Sequence, residues 1–212
     1  MKFTIFGATG FVGSNLVKYL KSQNHVVKAY GRETIPSSDV ELGQVVYSIG
    51  FTGDFREKPF EAVDAHVNEL SRRIRSSKFD SWLYLSSTRI YGTGHHSGCE
   101  SAPVCVVPGL DSIYDTSKLL GESICLAYDN PKIRVARLSN VYGVGQSENT
   151  FLGSIIKDLK KVGSALIRES PESAKDYISI SDVVRLVEKV ALYGDSQIYN
   201  IASGVTVTHG QV

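Results

Sequence analysis

The chain is poor in the features that mark several large protein classes. It has three cysteines in 212 residues, Cys99, Cys105 and Cys125. The count is odd and the spacing fits no zinc pattern, so cysteine gives no reason to place the chain outside a reducing, cytoplasmic compartment. Charge of one sign is also lacking: 23 Lys and Arg stand against 22 Asp and Glu. That balance removes the electrostatic case for nucleic acid or an anionic membrane as the main partner. No apolar run is long enough to span a bilayer, and the chain opens directly into strand-like residues with no signal sequence. There is no internal repeat, low-complexity tract or clear linker. The expectation is one cytoplasmic domain over residues 1–212, long enough for a substantial core.

What the chain does have begins at Gly7-Ala8-Thr9-Gly10-Phe11-Val12-Gly13. An apolar run, Phe3 to Phe6, precedes this stretch, and Val12, Leu16 and Leu20 follow at helical spacing. Strand, glycine turn and helix in that order make a good candidate for a nucleotide site. Gly7 allows the tight turn, Gly10 lets the backbone approach a diphosphate, and Gly13 lets the helix pack closely on the strand. The diphosphate would lie on the helix N-terminus, where free N–H groups and the positive dipole end favour anions. A glycine-rich turn with no ligand is the competing reading of these residues alone.

Further strands are expected at 26–30, 44–49, 81–85, 133–138 and 197–202, with short ones at 165–168 and 177–180. Helices are expected near 11–22, 60–76, 114–128, 151–161 and 183–191, and a loop at 92–111. Alternating strands and helices predict an α/β fold, a doubly wound parallel sheet covered on both faces. In the helix at 60–76, Val63, Val67, Leu70 and Ile74 form the apolar stripe, which leaves Arg72, Arg73 and Arg75 for a solvated face.

Two further constellations carry chemistry. Tyr114 and Lys118 are four apart and share a helix face. A free tyrosine has a pKa of about 10, and a nearby ammonium, joined by a cationic nicotinamide, would favour the phenolate. Tyr114 could then exchange a proton with a substrate hydroxyl. Taken alone, the pair also fits a core tyrosine beside a surface lysine. Ser86-Ser87-Thr88 leaves a buried-type strand at the carboxyl edge of the sheet, where open α/β folds bind ligands. These hydroxyls also fit a polar strand end bonding its own backbone.

With these residues in hand, the sequence resembles the extended short-chain dehydrogenase/reductase superfamily, in its nucleotide-sugar epimerase/dehydratase branch. Five motifs stand in family order: Gly7 to Gly13, Ser86 to Gly92, Tyr114 to Lys118, Arg137-Leu-Ser-Asn140-Val-Tyr-Gly143, and Lys175-Asp-Tyr-Ile-Ser-Ile-Ser-Asp182. Tyr199 to Gly204 is a weaker echo. The resemblance implies a Rossmann-like sheet and a bound NADP or NAD. It makes Tyr114 the acid/base, Lys118 its tuning partner on the nicotinamide ribose, and Ser87 the catalytic hydroxyl. The implied cofactor contacts are Gly7, Thr9, Gly10, Phe11, Val12, Gly13, Gly31, Arg32, Ile49, Gly50 and Ser86, together with Tyr114 and Lys118. Thr88, Asn140 and Lys175 fall where the family contacts the substrate. The helices near 60–76 and 114–128 match the pair that forms a homodimer face in the family.

The sequence departs from the family pattern in several places. Gly31-Arg32 stands where NAD-preferring members carry an acid, and Arg32 could pair with a 2′-phosphate, which points to NADP. Only a short segment separates Gly31 from the strand at 44–49, so the fold is expected to be shortened by about one βα unit. Tyr47-Ser48-Ile49-Gly50 replaces a His-Leu-Ala-Ala-like segment, Leu138 replaces a proline, and Lys175 replaces an arginine. The chain stops at Val212, so residues 144–180 and 203–212 are expected to form a reduced, partial substrate lobe. Thr88-Arg89 is not the Asp-Glu pair of the dehydratases, which favours an epimerase or keto-sugar reductase acting by hydride transfer. A non-catalytic NADP(H)-binding regulatory or structural protein of the same fold is the alternative. His95, His96 and Cys99 lack a fourth ligand at useful spacing, and no metal is expected.

Overall fold

Hydrophobic side chains alternate along strand after strand, so the central sheet feeds a core on each face. The computed structural model describes residues 1–31, 34, 36, 40–51, 55–92, 98–109, 111–167 and 170–212. The strands are β1 (Lys2–Phe6), β2 (Val26–Tyr30), β3 (Gln44–Tyr47), β4 (Ser81–Ser87), β5 (Ile133–Leu138) and β8 (Ile198–Ile201), in spatial order β2-β1-β3-β4-β5-β8. Every pairing in this sheet is parallel. Phe3, Ile5, Val46, Leu83, Leu85, Ala136 and Leu138 point to one core; Phe6, Val45, Tyr47, Trp82, Tyr84, Ile133 and Val135 point to the other. The period of two follows from the pleat, and burial on both faces explains why these strands read as nearly continuous apolar runs.

Helices α1 (Phe11–Ser22) and α6 (Ile180–Tyr193) close the first core with Leu16, Leu20, Val183, Val187 and Val190. The second core is closed by a helical stretch from Pro59 to Ser76 and by α4 (Ile113–Leu126). The stretch is not one regular helix. It runs as α2 (Pro59–Val63), a π turn (Asp64–Asn68) and α3 (Glu69–Ser76). The wide turn shifts the phase of the buried stripe, which becomes His66, Leu70, Arg73 and Ile74, while Val63 and Val67 are only half-buried. Arg73 is therefore not on a solvated face. It is 1% exposed, pairs through Nε with Glu69 at 3.1 Å, donates to Thr34 O at 3.1 Å, and stacks on Phe6 at 4.6 Å. Arg72 and Arg75 are exposed.

The chain reverses its winding between β1 and β3. It steps outward from β1 to β2, returns to the other side of β1 as β3, and continues to β8. This switch point opens a crevice at the carboxyl ends of β1, β3 and β4. β2 is the edge of the sheet; the described part of the 31–43 connection contains no helix and no strand beyond one bridge, Glu41 to Lys78.

Beyond that carboxyl edge lies a second sheet of β6 (Asn140–Tyr142), β7 (Ala174–Ser179) and β9 (Thr206–Thr208), in order β6-β7-β9. β6 and β9 had no counterpart among the expected strands. The strand expected at 165–168 is not formed at 165–167, and Arg168 lies outside the described residues. The next one starts earlier than expected, at Ala174, and ends at Ser179, whose hydroxyl accepts from Asp182 N–H and caps α6. The remaining helix, α5 (Phe151–Val162), is capped by Thr150 and ends on Gly163 in the left-handed conformation.

Candidate active site

The glycine turn wraps from β1 into α1. Gly7 N–H donates to Tyr30 O at 2.9 Å with φ of +82°, and a Cβ there would lie 2.7 Å from Ile49 N and Ser48 C. A Cβ on Gly13 would lie 2.2 Å from Gly7 O. Glycine is required at both places, first by conformation and close approach, then by helix-to-turn contact. Gly10 is the helix N-cap and supplies no side-chain cap, and the first turn carries no acid. The N–H groups of Phe11, Val12 and Gly13 therefore face outward as an uncapped anion cradle, with Thr9 and Gly10 exposed at its rim.

β4 delivers its hydroxyls to the same crevice. Ser86 Oγ is buried and has no hydrogen-bond partner among the described residues. Ser87 caps a short 3-10 turn, accepting from Arg89 N–H at 3.2 Å, and shares a side-chain hydrogen bond with Tyr114. Tyr114, in the first turn of α4, is 6% exposed, and Lys118, one turn on, is 4% exposed. Lys118 Nζ donates to Leu85 O at 2.9 Å and lies over the Tyr84 ring at 5.1 Å. Ser87, Tyr114 and Lys118 thus meet at the end of β4. A Cβ on Gly50 would lie 3.8 Å from Lys118 Nζ, so the segment after β3 borders the same group. The uncapped cradle and the orphaned Ser86 hydroxyl fit a diphosphate-linked cofactor running from α1 toward Lys118.

Burial dominates the electrostatics of this group. Burial pushes the Tyr114 phenol up to about 12, and the Ser87 hydrogen bond and the Arg89 charge pull it back only in part. Burial also pulls Lys118 down to about 7, opposed by Glu122. The Arg89 guanidinium is the cation that works against burial at Tyr114.

Three neighbours of Tyr114 escaped the sequence reading: His66, Phe55 and Arg89. The His66 ring meets Tyr114 edge-on, centroids 5.2 Å apart at 87°. Phe55 packs on Tyr114 at 5.4 Å. Arg89 spans both rings, at 5.1 Å from Phe55 and 5.5 Å from Tyr114, and its Nε reaches both oxygens of Asp115 at 3.0 and 3.3 Å. Spacing four residues before Leu70 was the available signal for His66, but the π turn hid it. Arg89 is two residues beyond Ser87, and only the fold shows that it leans back over α4.

The residues expected on the substrate side are more dispersed. Thr88 is half-buried at the start of the 3-10 turn. Asn140 and Lys175 both lie on the second sheet. Asn140 Nδ2 donates to Asp176 O at 2.9 Å, and Lys175 Nζ lies over Phe151 at 5.2 Å. Burial opposes the Asp176 charge, yet hydrogen bonds from Ser139, Ser203 and Gly204 hold its carboxyl below the usual range. Gly31 has open space around its α-carbon; Arg32, His95 and His96 lie outside the described residues. Among the described residues, no three metal-binding side chains converge, and no helix is long and apolar enough to cross a membrane.

A model of the NAD dependent epimerase/dehydratase family matches residues 3–69 and 62–202. No curated protein sequence matches the chain. Among solved structures, an NAD-dependent NDP-hexosamine 5,6-dehydratase of tunicamycin biosynthesis superposes with a TM-score of 0.84 at 19% identity, covering 99% of this chain and 78% of that one. UDP-glucuronic acid 4-epimerase from Bacillus cereus, bound to UDP-glucuronic acid and NAD, gives 0.83 at 20% identity, covering 100% and 80%. RMD from Pseudomonas aeruginosa, complexed with NADPH, gives 0.77 at 20% identity, covering 99% and 79%. At these identities the likeness establishes the fold.

Proposed function

Since the chain belongs to the NAD dependent epimerase/dehydratase family, we propose that it is an NAD(P)-dependent oxidoreductase-type enzyme acting on a nucleotide-activated sugar. The observation that carries this reading is the meeting of Ser87, Tyr114 and Lys118 at the end of β4, beside an uncapped glycine cradle. Similar structures hold a nucleotide sugar with NAD, or NADPH, in this fold.

When bound, the nicotinamide supplies the acceptor and donor of hydride at a sugar carbon. The cradle of α1 would hold the diphosphate of the cofactor, with Ser86 and the Ile49–Gly50 segment near its nicotinamide half. Tyr114 Oη takes the proton of the sugar hydroxyl as the carbonyl forms, and returns it when the carbonyl is reduced. Ser87 bonds the same oxygen and holds it against Tyr114. Lys118, whose pKa burial pulls down to about 7, would hold more of its charge on bonding ribose hydroxyls and so favour the tyrosinate. Return of hydride to the opposite face gives an epimerase; starting from the keto form gives a reductase. In this reading Asn140 and Lys175, on the second sheet, contact the sugar nucleotide. Exposed Phe60 and Leu120, on the two helices of the second core, are suited to a homodimer contact.

Replacing Tyr114 with Phe tests the reading. Turnover of a nucleotide sugar falls by about 10²–10⁴-fold, while an NADH or NADPH fluorescence titration stays nearly unchanged. Wild-type turnover in the variant would overturn the assignment.

A further inference from the structure

His66 has no role in the chemistry above, yet it is fully buried beside Tyr114 and both of its ring nitrogens are engaged. Phe51 N–H donates to Nε2 at 3.2 Å. An N–H can only donate, so Nε2 carries no proton. On the other side of the ring, Nδ1 lies 2.8 Å from Ser117 Oγ. The Ser117 hydroxyl donates its own hydrogen to Tyr114 O at 3.0 Å, so its oxygen accepts from Nδ1–H. The two ends independently require one neutral tautomer, protonated on Nδ1. The ring therefore ties the backbone after β3 to the first turn of α4, which carries Tyr114.

The placement has its own structural cause. The π turn Asp64–Asn68 widens the helix at His66, and tyrosines brace the freed carbonyls: Tyr47 donates to Ala65 O at 2.6 Å and Tyr84 to His66 O at 3.5 Å. Such turns recur at functional sites. From α4 the titratable groups facing this region are Tyr114, Lys118 and, one turn further, the buried Glu122; from β3 and β4 they are Tyr47 and Tyr84; Asp64, on the π turn itself, is exposed. A Cβ on Gly50 would lie 3.8 Å from both His66 Nε2 and Lys118 Nζ, so the imidazole and the ammonium border the same small space.

We propose that neutral His66 is a positioning residue that locks the segment after β3 to the catalytic helix, and that its protonation releases this lock. A proton on Nε2 turns the acceptor into a donor facing Phe51 N–H, and places a second cation near Lys118. Both effects oppose the closed arrangement, so turnover falls on the acid side. The inference rests on the reading of Tyr114 as the acid/base; the lock itself is measurable without turnover.

The experiment pairs nitrogen NMR on the free protein with kinetics. At a pH of about 8 the His66 signals, identified by their loss in His66→Gln, show protonated Nδ1 and unprotonated Nε2. On acidification the Phe51 amide shifts together with the ring. The opposite tautomer, or a Phe51 amide indifferent to His66 protonation, overturns the proposal whatever the fate of Tyr114. In kinetics, glutamine still accepts from Phe51 and donates to Ser117 but does not titrate, so His66→Gln makes the acid limb of kcat shallower, leaving the part that Tyr114 sets, and keeps most of its plateau. His66→Leu loses about tenfold or more in kcat at every pH, with KM for the sugar nucleotide within about twofold. An unchanged acid limb in His66→Gln, or full kcat in His66→Leu, overturns it. Should Tyr114→Phe remain active while the NMR result holds, the lock stands and the acid/base assignment falls.

Discussion

Arg89 lies over the ring of Tyr114, its guanidinium carbon 5.5 Å from the centroid, and Asp115, the residue after Tyr114, holds it there through both carboxylate oxygens. The cation thus comes from the turn after β4, while its anchor comes from the helix that carries the phenol. A cation beside a phenol favours the phenolate, and it acts against the burial that raises Tyr114 to about 12.

Removing that cation moves the titration of Tyr114 upward. In Arg89→Met, the rise of kcat with pH in the oxidation direction shifts to higher pH, and turnover near neutrality falls by about tenfold. Arg89→Lys keeps the charge but loses the two-oxygen grip on Asp115, so its profile falls between the two. A pH–rate series on the three proteins reads the order directly.

Lys118 gives a stability test that needs no substrate. Its pKa is about 7 in the folded protein against 10.5 as a free side chain, because burial disfavours the charge. Between these values the unfolded chain binds the extra proton, so stability rises with pH across the window. Below about 7 the full penalty of burying the ammonium applies, and above 10.5 it vanishes. Lys118→Met removes the group, so its stability relative to wild type is greatest at the acid end and declines steadily from pH 7 to 10.5. Denaturant unfolding at several pH values measures the difference. A constant difference across the window contradicts the folded pKa.

Gly13→Ala tests the packing under the cradle. The added methyl would lie 2.2 Å from Gly7 O and 2.8 Å from Ser48 Oγ. Backbone cannot yield as a flexible side chain does, so α1 moves outward and stability falls by about 1–3 kcal/mol. Affinity for the nicotinamide cofactor falls with it, by about tenfold, because the helix N-terminus is displaced. Chemical unfolding and cofactor titration check the two effects separately.

Arg32→Ala tests the choice between cofactors. If Arg32 pairs with a 2′-phosphate, the substitution weakens NADPH by about tenfold or more and leaves NADH nearly unchanged. Equal loss for both cofactors removes the reason to prefer NADP.

The parts of the fold and site that sequence made visible are those written in short, local spacing. Gly7 to Gly13 lies within one strand–turn–helix, and Tyr114 and Lys118 are one helical turn apart. The large parallel sheet follows from apolar runs that alternate with helical stripes. What stayed hidden depends on phase or on distant partners. The π turn displaces the stripe at 60–76, so regular helical spacing points Arg73 to solvent and gives no sign of His66. β6 and β9 are three residues each, too short to show a period. Arg89 looked like a departure from a motif because its partner, Asp115, arrives from 26 residues further along the chain.

The unpartnered edge at β2 bears on how this scaffold can be extended. Along that strand Val26, Lys28 and Ala29 are exposed, and no second strand covers its outer side among the described residues. A free edge invites pairing with another chain, and Lys28 is the kind of gatekeeper that discourages it. Ser87 lies at the end of β4, with β1 and β3 between it and this border. A designer could therefore graft an additional crossover unit into the 31–43 connection, widening the sheet at its margin and rebuilding the adenosine side while Ser87, Tyr114 and Lys118 keep their places.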